Sequence, residues 1–420
     1  MYRKTVLENG VKIISEKMDN IKSVSIGIWV NAGSRDEEKD ENGVSHFIEH
    51  MIFRGTEKRN GLEIAKELDA IGGLSNAFTG KENTCFHARV LDKHLPQLSD
   101  IFSDIFLKSK FESDDVEREK KIILQEIAMV EDTPEDNIHV MFTRNFWMNH
   151  PIGMPILGTE ENVLKIERDT IVRYMRKFYV PENVLIAAAG NVDHNYFVSQ
   201  FETCFGSMAK SDSEYKRTTP ESKSGFHLYY KNLEQVHVCI GGKAPSLRSE
   251  KRFALAVLNT ILGGNMSSKL FQEIREKMGL AYSVYSFLST YLDSGLLGIY
   301  VGSDQKNVNS ILEIIKKEII NICKGNLNNK DLVAAKDHII GGIYLGSESS
   351  DNRMMRNAKN EFLFQKYINH DELVSEFEKV KIDDVINVAF EIFCSDHINF
   401  AAIGSLDENQ IDRGNLVYLM

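Results

Sequence analysis

Apolar and polar positions along this chain change period in the same order twice. The run Ser23 to Gly33 (SVSIGIWVNAG) is short, β-branched and closed by Gly, as a strand would be, and Gln235 to Pro245 (QVHVCIGGKAP) is alike but closed by Pro. Each is followed by a stretch whose apolar residues recur three and four apart, the period of a helix: VSHFIEHMIF from Val44 and RFALAVLNTIL from Arg252. A Gly-marked turn and a strand come next, GGLSNAFTG and GLAYSVYSF. Then a strand leads into a long helix, CFHARVLDKHLPQLSDIFSDIF and LLGIYVGSDQKNVNSILEIIKKEI. Another helix follows (DDVEREKKIILQEIAMV; KDLVAAKDHIIGGIYLG), and each half closes on a strand and turn (NVLIAAAGNVDHN; INFAAIGSLDENQ).

Between the halves, Ala209 to Gly225 (AKSDSEYKRTTPESKSG) is the most polar and least periodic stretch, the signature of an exposed linker. A repeat of roughly 200 residues is too long for a solenoid unit, and 420 residues are too many for one core. The pattern therefore predicts a duplicated domain: residues 1–210, a linker at 211–225, and residues 226–420. Each domain is expected to be α+β, a mostly antiparallel β-sheet with helices packed on one face.

Composition narrows the class. Hydrophobic residues at 42% and charged residues at 26% fit an ordinary globular protein. A net charge of -11 argues against nucleic acid or an anionic membrane as main partner, since both need a basic footprint. No stretch approaches 18 uninterrupted apolar residues, and the N-terminus has no apolar signal region. The five cysteines are odd in number, scattered and without a CxxC. Reduced thiols and a cytoplasmic location are the expectation.

The first helix carries residues that packing does not call for. On a helix, Val44, Phe47, Ile48, Met51 and Ile52 form a core stripe, while His46, Glu49, His50 and Phe53 form a second. Asn42 or Ser45 can cap its start and Gly55 can end it. The imidazoles are one turn apart, about 5–6 Å at Cβ, which suits two ligands of one zinc ion. Glu49 beside them can take a proton from a water activated at the metal and hand it to a leaving amine. Two histidines at this spacing also occur on solvated helix faces; H-x-x-E-H is narrower and is a zinc-protease signature.

Catalytic zinc takes three protein ligands. In DDVEREKKIILQEIAMVED, Glu119, Ile122, Ile123 and Glu126 share a face continued by Met129 and Val130, so Glu126 interrupts a stripe expected to be buried. A buried carboxylate needs a partner, and a cation supplies one; the plain alternative is a Glu that reaches solvent or pairs with a Lys or Arg. Glu119, two turns earlier, is either an acceptor for a ligand histidine N–H or a solvated helix charge. The repeat offers a test. Laid over KDLVAAKDHIIGGI, Glu126 falls opposite Gly342 and Glu119 opposite Ala335, and RFALAVLNTIL holds no His or Glu. Residues needed for packing recur in both copies; these do not.

With HFIEH and Glu126 in place, the chain resembles the insulinase/pitrilysin family of zinc metallopeptidases over nearly its whole length. It is nearest the subgroup with two similar halves per chain, such as the mitochondrial processing peptidase subunits and bacterial processing-protease-like enzymes. The family motif is HxxEH with a Glu 76 residues on, the interval from His50 to Glu126. The resemblance implies that His46, His50 and Glu126 bind one Zn2+ per chain, that Glu49 is the general base, and that Glu119 occupies a further acidic position of the site. LSNAFTGKENTCF resembles the family's NAxT segment, so Asn76 and Ala77 would line the cleft on a strand whose open edge pairs with substrate backbone. LGGNMSSKLFQEIREKMGLAYSVYS resembles the family's glycine-rich loop and the helix and strand after it. There Arg275 would hold substrate carbonyls and Tyr282 would donate to the oxyanion; the plain alternative is helix-surface ion pairs of Arg275 with Glu276 or nearby groups and strand packing for Tyr282. The implied activity is hydrolysis of peptides or unfolded polypeptides inside a closed chamber made by a homodimer. The competing expectation is a non-catalytic or hetero-oligomeric processing-peptidase-like subunit.

Overall fold

A computed structural model describes residues 1–210, 215–394 and 397–416. The first sheet holds β1 (Tyr2–Val6), β2 (Lys12–Lys17), β3 (Ser23–Val30), β4 (Leu74–Thr79), β5 (Thr84–Leu91) and β6 (Val184–Gly190). Their order is β1-β2-β6-β3-β5-β4, and every pair is antiparallel except β2 with β6. The second sheet holds β7 (Gly225–Tyr230), β8 (Val236–Lys243), β9 (Ala281–Thr290), β10 (Gly295–Ser303) and β11 (Asn399–Gly404), in the order β7-β11-β8-β10-β9. Only β7 with β11 is parallel. Two α+β domains with mostly antiparallel sheets are thus what the alternating pattern led one to expect.

The compact units are not the contiguous halves. The first unit comprises Met1–Met129, Met154–Arg217 and Leu345–Ile368. The second comprises Val130–Gly153, Thr218–Tyr344 and the described residues from Asn369 onward. The division between 1–210 and 226–420 is corrected accordingly: helix Pro134–Phe146 belongs with the second sheet and helix Ser350–Phe364 with the first. The proposed linker at 211–225 does contain the Arg217/Thr218 boundary; its residues 211–214 lie outside the described residues.

Burial explains the exchange. Along β3, Ile26, Ile28 and Val30 point into the core that contains Val44, Phe47 and Met51, while Trp29 points the other way. That second face is covered by Met354 and Ala358 of helix Ser350–Phe364, which pack on Trp29, Leu185, Ala187 and Ala189. Gly27 is part of the fit: a Cβ there would stand 2.8 Å from the Met354 sulfur. In the second unit Ile138, Phe142 and Phe146 cover Leu296, Tyr300, Ala401 and Ile403 in the same way. The expectation of helices on one face only is therefore revised: the other face of each sheet carries a helix from the opposite half of the sequence. An apolar helix stripe records that a partner exists, not which sheet it is.

Among the described residues no helix is long and apolar enough to cross a membrane. All five cysteines are free of disulfides.

Candidate metal centre

Helix Val44–Met51 seats the two histidines. Val44, Phe47, Ile48, Met51 and the following Ile52 are all fully buried, so the core face is the one the periodicity indicates. Burying five such side chains fixes the rotation of the helix and hence the direction of the second stripe.

Its N-terminus is held by a residue outside the motif. Gly43 occupies the cap position at φ 101°, and a Cβ there would meet the Gly158 Cα and the Leu157 carbonyl at 2.9 Å, so only Gly fits. No side chain next to the helix caps it. The Glu37 carboxylate instead accepts from the Gly43 N–H at 2.8 Å, the Ser45 N–H at 2.8 Å and the Asn42 amide at 2.9 Å. The expected caps are corrected on this point: Asn42 donates to Glu37 and to the Pro155 carbonyl, and the Ser45 hydroxyl donates to Tyr174. Glu37 is fully enclosed, and burial lifts its pKa to about 7 despite these bonds.

Glu119 and Glu126 come from helix Ser113–Asp132. The buried face of that helix is Val116, Glu119, Lys120, Ile123 and Ile127. Ile122 is 38% exposed and Met129 70%, so the stripe read as buried around Glu126 is a flank, and Glu126 reaches the site from the rim.

Three groups converge. His46 Nε2 and His50 Nε2 each lie 3.6 Å from the same oxygen, Glu126 Oε2, and the two rings are 4.5 Å apart between centroids. That spacing is long for a direct hydrogen bond. It is close to the edge of a tetrahedron about a zinc ion, about 3.4 Å for bonds of about 2.0–2.1 Å. Among the described residues these three are the one group of His, Cys, Asp or Glu whose donor atoms all fall within 4.8 Å of one another. Two nitrogens and one carboxylate oxygen, with room for a fourth ligand, form the donor set of a catalytic zinc site, so the residues fit that ion. Burial, with the charge of His50 second, pushes His46 down to about pKa 4, which keeps its imidazole neutral as a ligand must be.

Behind the ligands, His50 Nδ1–H donates to Glu119 Oε1 at 2.7 Å, which leaves Nε2 for the metal. Burial opposes charge on His50, but this bond and the nearby carboxylates outweigh it and raise its pKa. Glu119 is fully buried; burial would raise its pKa, yet the contacts from His50 and Arg54 leave it lowered. Of the two alternatives for Glu119, the acceptor is the one observed. Glu49 receives a hydrogen bond from the Thr79 hydroxyl at 2.5 Å, and burial raises its pKa against that bond.

Asn76 and Ala77 lie on β4, an edge strand that pairs only with β5. With Glu49, His50, Phe53 and Leu68 they line a groove of about 500 Å3. The Asn76 side chain accepts from the Ala77 N–H at 2.9 Å, so that backbone donor is engaged locally. In the second unit the structure brings Arg275 and Tyr282 together. Arg275 donates to the Tyr282 carbonyl at 2.9 Å, and its guanidinium lies 4.6 Å from that ring centre. Tyr282 is 75% exposed on β9, the edge of the second sheet.

Three residues of the site were not signalled by the pattern. Glu37 sits in the charged run DEEKDENG, where it looks like a surface acid. Thr79 is inside the NAFT segment, but nothing there points to Glu49. Arg54, whose Nε stands 2.6 Å from Glu119 Oε2, reads as a solvated charge after the helix.

Known proteins resemble this chain over most of its length. The pattern described as insulinase (peptidase family M16) matches residues 12–160, and that described as the peptidase M16 inactive domain matches residues 165–339. An uncharacterized zinc protease of Bacillus subtilis is 38% identical over 397 residues, covering 94% of this chain and 97% of that protein. One of Streptomyces coelicolor is 38% identical over 419 residues, 98% of this chain and 91% of that protein. The crystal structure of a protease from Helicobacter pylori shares the fold at a TM-score of 0.89 and 20% identity, covering 96% of this chain and 99% of that one.

Proposed function

This chain belongs to the insulinase family, peptidase family M16, and we propose that it is a zinc-dependent endopeptidase acting on peptides or unfolded polypeptides. The observation that carries the reading is the convergence of His46, His50 and Glu126 on one point, with Glu49 beside them on the groove.

When bound, zinc lowers the pKa of a water toward neutrality and polarises the scissile carbonyl. His46, His50 and Glu126 would hold the ion, and Glu119 fixes the ring of His50. An extended substrate adds to the open edge of β4, so main-chain bonds along Asn76 and Ala77 position it whatever its side chains. Glu49 takes the proton of the attacking water and returns it to the departing nitrogen. Thr79 holds one oxygen of Glu49, which leaves the other for that proton. Arg275 would hold substrate carbonyls and Tyr282 would donate to the developing oxyanion.

In this reading two copies pair around a closed chamber, and Arg275 and Tyr282 of one protomer serve the metal site of the other. Sedimentation that finds a fully active monomer would remove the trans arrangement while leaving the chemistry intact.

The direct test is Glu49→Gln. The variant should bind zinc as the wild type does and lose turnover of a quenched peptide by at least about 100-fold. Wild-type cleavage by this variant would refute the role of Glu49. A wild-type chain that binds zinc yet cleaves nothing alone would point to a hetero-oligomeric or non-catalytic subunit.

A further inference from the structure

The observation that carries furthest beyond this reading is Arg54. It lies outside the HxxEH motif, just past the end of the helix, where its N–H bonds the Met51 carbonyl at 3.0 Å. Its Nε stands 2.6 Å from Glu119 Oε2, while Glu119 Oε1 accepts from His50 Nδ1 at 2.7 Å. The Arg54 contact is off the axis of the N–H bond, since Glu119 Oε2 has no aligned donor, so it is an ion pair rather than a hydrogen bond.

We propose that Arg54 is a positioning residue of the metal centre: it pins the second oxygen of Glu119 so that the first orients His50 for the ion. The inference rests on the zinc reading above. Three features support it. Glu119 is fully buried, and a buried carboxylate held at one oxygen is free to turn about its last bond. Held at both, it presents a fixed acceptor to the ring, and ligand orientation of this kind governs metal affinity. The formal charges also close. The two charges of a zinc ion and the one of Arg54 balance the carboxylates of Glu49, Glu119 and Glu126. Without Arg54 the loaded centre keeps an uncompensated negative charge beside a buried group. Finally, the Arg54 side chain is 44% exposed and makes no other ion pair among the described residues, so Glu119 is its one charged partner there.

The test measures zinc affinity by competition with a chelator at fixed pH, together with the visible spectrum of the cobalt-substituted protein. Arg54→Met should weaken zinc binding about 10- to 100-fold and change the cobalt bands. Arg54→Lys, which restores a point charge, should recover most of the affinity. In a Glu119→Gln background the Arg54→Met change should cost nothing further, because its only target is gone. Wild-type affinity in Arg54→Met, or full additivity of the two substitutions, would overturn the proposal. If the wild type itself takes up no zinc, it is the metal reading that fails, and the Arg54 proposal falls with it.

Discussion

Replacing Thr79 by Val asks whether the general base is held by the strand that receives substrate. Val keeps the shape and removes only the hydroxyl that donates to Glu49 at 2.5 Å. A hydrogen bond to a charged group is worth about 1.5–3 kcal/mol, and each 1.4 kcal/mol is about tenfold in rate. If that bond aligns Glu49 in the transition state, kcat should fall about 10- to 150-fold. KM should stay within about twofold, since the backbone edge of β4 is unchanged. Zinc content should be unaffected, because Thr79 touches none of the three ligands. Thr79→Ser should return kcat to near the wild-type value. The assay is steady-state cleavage of a quenched fluorescent peptide, with zinc measured on the same samples. A Thr79→Val enzyme with wild-type kcat would refute the reasoning, and so would a loss confined to KM.

Two further outcomes test the scaffold. The folded pKa of Glu37 is about 7, raised above an ordinary 4.5, so its contribution to stability is full below about pH 4.5 and is lost as pH rises through 7. The stability difference between wild type and Glu37→Gln, read by denaturant titration, should therefore shift by up to about 3 kcal/mol against the wild type between pH 4.5 and pH 8; a constant difference would contradict it. Met354→Ala empties a fully buried site over Gly27 and should destabilise the first unit by about 2–5 kcal/mol. Unchanged unfolding would mean that the exchanged helix does not cover that face.

Much of this was legible in the chain because buried elements must repeat their period. The strand at Ser23, the core face of the motif helix and the order of elements in both halves follow from that requirement alone. So does the absence of the metal residues from the second copy, since packing does not need them. What was not legible depends on contacts distant in sequence. Glu37 caps a helix from across a loop, and a carboxylate in a charged run carries no mark of where it will be buried. The exchange of Pro134–Phe146 and Ser350–Phe364 is invisible for a similar reason, because amphipathic stripes do not name their sheet. The environment of Glu126 differs by part of a turn from the one the apolar pattern indicates. The apolar residues of Ser113–Asp132 admit two neighbouring faces, and the core took the one through Val116, Ile123 and Ile127.

The central claim is that His46, His50 and Glu126 share one ion, and zinc stoichiometry across single substitutions tests it most directly. Elemental analysis after dialysis against buffered zinc should give about one zinc per wild-type chain. His46→Ala, His50→Ala and Glu126→Gln should each weaken binding at least about 100-fold in a chelator competition. A wild-type chain without stoichiometric zinc, or zinc retained undiminished in all three variants, would contradict the account.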